Sequence, residues 1–252
     1  MGTDIHLYVE RRKKNGTWER VKPTAWKCSW CDSPNEKCFN CEGKGLTQKE
    51  YDRRNYDLFA MLANVRNGTG FAGVKTGNGF EPLDEPRGIP EDLSFPPEPD
   101  YSKENDDDDD PWLGDHSFSW CTLAEALAYN YDRESKHEGV VDSAEYAAWV
   151  ERGRKGRPGS YCGGVSGPKV VHLSNEEMQK LIMSNPALTK KPTGDERWGR
   201  PLDEDGKSYF TSVEWTETYR FSAGEAWFNF LEACKPLAKD PKDVRLVFGF
   251  DS

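Results

Sequence analysis

Four cysteines near the start of the chain set the strongest constraint on its fold. They stand as Cys28-Ser-Trp-Cys31 and, six residues later, Cys38-Phe-Asn-Cys41. Each C-x-x-C closes a tight turn that aims two thiolates at one ion, and the short spacer lets the two turns complete a tetrahedron. The spacing predicts a structural Zn2+ held by Cys28, Cys31, Cys38 and Cys41 in a knuckle inserted at 25–46. Two disulfides or four free thiols are the alternatives. A full set of four sulfurs leaves no open position, so the metal is expected to brace the fold and not to catalyse.

The remaining composition narrows the function classes. The chain has 252 residues and is only 35% hydrophobic, but nine Trp, ten Tyr and twelve Phe supply enough area for a sizeable core. With 34 Lys and Arg against 44 Asp and Glu, the net charge is -10. That balance argues against coating extended nucleic acid, because phosphate binding is carried by cations. A small anion in a local basic pocket stays compatible with it. No apolar run is long enough for a membrane span or a secretory leader. Cys121, Cys162 and Cys234 show no pairing pattern, which points to a reducing cytoplasm. Oligomeric state is left open.

Residues 4–10 alternate, with Ile5, Leu7 and Val9 on one face, and so predict a half-buried strand. Asn15-Gly16 predicts a type I′ hairpin turn with a return over Thr17–Val21. Leu58, Met61, Leu62 and Val65 keep helical spacing within about Asp52–Val65. Capping boxes at Thr122/Glu125, Ser174/Glu177 and Ser222/Glu225 predict three helix starts, and a further helix is expected around Ala144–Arg152. Strands are expected at Lys169–Leu173, Tyr209–Glu217 and Val244–Phe250, the last a sheet neighbour of the first. Together these predict one α+β domain over 1–252: a mostly antiparallel sheet, helices mainly on one face, the zinc knuckle, and a Gly/Pro/Asp-rich loop or lid at 67–115. The acidic run Asp106–Asp110 lies in that loop.

Three polar regions carry candidate chemistry. Asp4 and His6 share the outer face of the first strand, roughly 7 Å apart. His116-Ser-Phe-Ser-Trp120 offers an imidazole, two hydroxyls and an aromatic face. Arg54-Asn-Tyr56 opens the first expected helix and Arg66-Asn67 closes it, with Arg87 further along the loop. Arginine suits fork-like recognition of phosphate. The expected ligand set is Arg54, Asn55, Tyr56, Arg66, Asn67, Arg87, His116, Ser117, Ser119 and Trp120. Arg54, Arg66 and Arg87 would pair with phosphates, and Tyr56 or Trp120 would stack on a base. If Asp4, His6 and His116 converge, they supply a general base or a labile metal site instead, and with it a hydrolase or lyase. No G-x-S-x-G or phosphate-loop motif is present.

Two resemblances add expectations. Cys38-Phe-Asn-Cys41-Glu-Gly43-Lys-Gly45 is similar to one cysteine-rich repeat of DnaJ-type co-chaperones. Met1-Gly-Thr-Asp-Ile-His6, Arg54-Asn-Tyr-Asp-Leu-Phe59, Pro86-Arg-Gly-Ile-Pro90, His116-Ser-Phe-Ser-Trp120 and Val244-Arg-Leu-Val-Phe-Gly-Phe-Asp251 together resemble a family of largely uncharacterised tailed-bacteriophage proteins. That likeness brings no catalytic residues with it. It implies a phage accessory protein in the host cytoplasm. By analogy of context it suggests an anti-defence sponge that sequesters a nucleotide signal, such as a cyclic oligonucleotide or a cyclic ADP-ribose derivative. An acidic, protein-binding inhibitor built on the Asp run is a third class.

Overall fold

The computed structural model describes residues 2–28, 38, 41–68, 79–98, 111–191 and 199–251. It is α+β, with mainly antiparallel sheets and helices. The chain divides into two compact units. One is built from Met1–Asn67, Phe80–Arg133 and Tyr219–Ser252, and the other on Glu134–Thr218. The reason is that 134–218 brings its own apolar cluster and need not borrow one. No composition break marks either crossing.

The first unit is organised by a four-stranded sheet. Its strands are β1 (Ile5–Arg12), β2 (Trp18–Val21), β5 (His116–Thr122) and β9 (Val244–Phe250), in the order β2-β1-β9-β5, all antiparallel. The terminal strands β1 and β9 are neighbours, as their alternation suggests. Ile5, Leu7 and Val9 pair with Phe250, Phe248 and Leu246, so one row of side chains faces the core. Helices α1 (Tyr56–Ala63) and α6 (Glu225–Cys234) cover that face with Leu58, Phe59, Leu62, Trp227, Phe230 and Leu231, all buried. Two short strands, β3 (Trp26–Lys27) and β4 (Leu46–Thr47), form the base of the cysteine knuckle. Trp26 seats that base: its ring packs 5.7 Å from Phe230, and its Nε1–H donates to Lys49 O at 3.0 Å.

The outer face of this sheet is closed by irregular chain. Trp112 N–H donates to the Tyr8 hydroxyl at 2.9 Å, and Phe95 packs on the Tyr8 ring. Ser94 N–H donates to Glu10 Oε1 at 2.7 Å. Gly249 is required here, since a Cβ at that position would run into the Leu113 carbonyl. The described part of the expected lid is therefore strapped down: Phe80 and Pro90 are buried, and Leu83 N–H donates to Met61 O at 2.6 Å. Residues 69–78 and the Asp106–Asp110 run lie outside the described residues.

The second unit holds a three-stranded sheet, β6 (Glu134–Asp142), β8 (Ser208–Thr218) and β7 (Val170–His172), with β7 parallel to β8. Helices α3 (Ser143–Glu151) and α4 (Asn175–Ser184) pack Tyr146, Trp149, Met178 and Ile182 on Val141, Val213 and Trp215.

Two local expectations are corrected. Asn15-Gly16 does not form a type I′ turn: Arg12 pairs with Trp18, the loop spans 13–17, and only Gly16 has positive φ. The third capping box also fails. Ser222 sits inside α5 (Tyr219–Ala223), and Gly224, at φ 79°, starts α6 with no side-chain cap. The first two boxes form as expected, opening α2 (Leu123–Ala128) and α4.

Candidate functional site

The helix that Arg54 and Arg66 flank is short because both ends are fixed by asparagine. Asn55 accepts Leu58 N–H at the start of α1, and its Nδ2 donates to Ser222 O and Ala223 O. Asn64 ends the helix in the left-handed conformation, φ 57°, its N–H donating to Ala60 O at 3.0 Å. The chain then turns again at Arg66, φ 58°. On the sheet edge, β5 bulges between His116 and Ser119, with Ser117 at φ 54°. These turns surround one cleft of about 340 Å³, lined by Ala63, Asn64, Val65, Arg66, Glu85, Pro86, His116 and Ser117.

Left-handed backbone costs about 1 kcal/mol or more at a residue with a side chain. Five non-glycine residues adopt it among the described residues, and Asn64, Arg66 and Ser117 all line this cleft. Arg66 donates from Nε and Nη2 to Thr3 Oγ1 at 2.9 and 2.7 Å. Its Nη1 has no partner among the described residues, so it can reach a ligand. His116 Nδ1 lies 3.0 Å from Ser117 Oγ, and its ring stacks on Phe250. In one tautomer Ser117 donates to Nδ1 and Nε2–H is left as a donor; in the other Nδ1–H donates to Ser117 Oγ.

The remaining expected ligand residues hold the fold together. Arg54 forks onto Asp4, Nε to Oδ1 at 2.7 Å and Nη2 to Oδ2 at 2.5 Å, which also holds the Asp4 carboxyl below its ordinary value. Tyr56 accepts Thr3 N–H on its hydroxyl and lies under Arg66. Asn67 pins Phe80 by accepting its N–H and donating to its carbonyl. Ser119 is buried and accepts Arg87 N–H at 3.1 Å. Trp120 already carries the guanidinium groups of Arg87 and Arg245. Arg87 itself is engaged by Glu125 and Asp84. Of the three expected phosphate arginines, Arg66 alone has no carboxylate partner among the described residues.

Asp4, His6 and His116 do not come together. Ile5, Phe250 and His116 form one row across the sheet, whereas His6 pairs with Gly249 and so projects from the opposite face. There His6 packs on Trp112 at 4.5 Å and meets Asp251 Oδ2 at 3.2 Å. No shared base or cation site forms from these three.

The Arg87–Glu125 pair carries a pH prediction. Hydrogen bonds from Arg87 hold the Glu125 carboxyl at about 2, against 4.5 ordinarily. A depressed acid stabilises the fold above its unfolded value and loses that contribution as pH falls through the folded one. Both groups are partly exposed, so the effect is about 1 kcal/mol. Glu125→Gln should lower the melting temperature at neutral pH, and the gap to wild type should close as the pH is taken from about 5 towards 2. A gap that is independent of pH refutes this assignment.

The knuckle brings Cys28, Cys38 and Cys41 together, their sulfurs all within 4.8 Å of one another. Cys28 Sγ and Cys38 Sγ are 3.7 Å apart. Two thiolates on one zinc at about 2.3 Å and tetrahedral angles stand about 3.8 Å apart, so the spacing suits a shared ion and is far too long for a disulfide. Gly45 supports the cluster twice, donating N–H to Cys41 Sγ at 3.3 Å and accepting Cys28 N–H at 2.9 Å. Cys31, the fourth expected ligand, lies outside the described residues.

The chain matches no protein-family model, no curated protein and no solved structure. No described helix is long and apolar enough to cross a membrane.

Proposed function

We propose that this protein binds a small nucleotide-like anion in the cleft at Asn64–Arg66 and His116–Ser117, without cleaving it. The observation that carries the reading is the pair of strained, non-glycine residues Arg66 and Ser117 on one cleft, where the arginine keeps a spare donor. Strain of this kind persists where the surrounding fold over-determines it, and it clusters at ligand clamps. The volume sits at the lower end of small-molecule sites, enough for one nucleotide unit. Arg66 Nη1 and His116 Nε2 are the donors this cleft can offer, and Pro86 with Ala63 adds apolar lining. On this reading the chain is a phage accessory protein that sequesters a nucleotide-derived defence signal. The cysteine knuckle, holding Zn2+ through Cys28, Cys31, Cys38 and Cys41, is its structural brace.

Calorimetry against phosphate, AMP, cyclic AMP, cyclic di-AMP and ADP-ribose tests this. At least one should bind, Arg66→Ala should weaken it about tenfold or more, and the ligand recovered after heat denaturation should be intact. Silence across the panel removes the reading, and an altered ligand converts it to an enzyme.

A further inference from the structure

We infer that Glu85 makes this cleft selective for ligands carrying a ribose hydroxyl beside the anionic group; the inference rests on the anion-binding reading above. Glu85 lines the same cleft as Arg66, His116 and Ser117. Its backbone is fixed, Glu85 N–H donating to Asp84 Oδ1 at 2.9 Å. Its side chain is exposed and its carboxylate has no ion pair or hydrogen bond among the described residues. The neighbouring carboxylate, Asp84, is taken by Arg87 at 2.6 Å, which leaves Glu85 as the acid turned to this cleft.

An ionised carboxylate only accepts hydrogen bonds. Facing an arginine and an imidazole across one small cleft, it repels a bare anion and rewards a ligand that is anionic at one end and a donor next to it. In a nucleotide the group adjoining the phosphate is the sugar, whose vicinal hydroxyls present two donors to a carboxylate, as acidic residues do toward ribose elsewhere.

The test compares AMP, 2′-deoxy-AMP and inorganic phosphate on wild type and Glu85→Gln. Wild type should bind AMP about tenfold tighter than 2′-deoxy-AMP, the effect of one hydrogen bond to a charged group at an accessible site. Glu85→Gln should remove most of that preference, leave 2′-deoxy-AMP little changed and bind free phosphate more tightly. Equal wild-type affinity for the two nucleotides, or an equal loss for both in Glu85→Gln, overturns the selectivity while leaving the anion site standing. Failure of wild type to bind any of the three overturns the selectivity, and the anion site falls with it when cyclic AMP, cyclic di-AMP and ADP-ribose are silent as well.

Discussion

Arg245→Ala should destabilise the first unit by about 3–5 kcal/mol, a large part of the stability of a domain this size. Arg245 stands directly opposite Glu10 in the β1–β9 ladder, and the two side chains are 3% and 0% exposed. Its Nε donates to Glu10 Oε2 at 2.8 Å and its Nη1 to Asp92 Oδ1 at 2.7 Å, while Trp18 stacks on the guanidinium at 4.3 Å. Truncation leaves the Glu10 carboxylate dry, with Ser94 N–H its one remaining donor among the described residues. It also frees Asp92, whose carboxyl the arginine holds below its ordinary value, and so loosens the irregular chain that closes the outer face. Urea unfolding followed by tryptophan fluorescence measures the loss. Adding Glu10→Leu to Arg245→Met should recover much of it, since an apolar pair of similar volume avoids the stranded charge. A loss under about 1 kcal/mol for Arg245→Ala would show that water reaches Glu10, contrary to the packing described.

Cys38→Ser should abolish metal binding and unfold the knuckle while leaving the sheet intact. Structural zinc contributes about 10–16 kcal/mol of apparent binding free energy in small zinc modules, so the loss of one sulfur removes far more than the short β3–β4 pairing supplies. The sheet should survive, because Trp26 is held by Phe230 and Lys49 at the base and not by the cysteines. Purified wild type should carry one zinc per chain by elemental analysis. The variant should carry none and gain protease cuts within 25–46. Zinc-free wild type with an unchanged cleavage pattern would leave the three sulfurs as free thiols. Neither Cys121 nor Cys234 substitutes for them: burial pushes both thiols up to about 12, far from the thiolate a metal needs.

Much of the fold was readable where a local rule and burial coincide. β1 and β9 alternate or run apolar because one face, or both, is covered. α1 shows its helical spacing, and the Thr122 and Ser174 boxes cap the helices they announce. β6 was not readable for a physical reason. Its inward residues are Ser135, His137, Gly139 and Val141, and the polar ones are satisfied by partners rather than excluded by apolarity. Ser135 Oγ lies 2.6 Å from His137 Nε2, and His137 stacks on Trp215. A strand whose buried face is polar leaves no hydrophobic alternation to detect. Ser222 failed as a cap because a five-residue helix absorbed it and glycine took over the restart.

The sequence by itself determined the cysteine cluster, the α+β class, and a set of candidate residues for an anion site. These follow from spacing and composition, which act over a few residues. Only the tertiary structure decided which of those residues keep a free hand. Charge pairing across the fold commits Arg54 to Asp4 and Arg87 to Glu125, and the two-residue period of β1 turns His6 away from His116. A guanidinium brought beside a carboxylate takes the nearest partner, and which one is nearest depends on packing between segments distant in the chain. Arg66 is left to the cleft because the described fold brings it a hydroxyl, not a carboxylate.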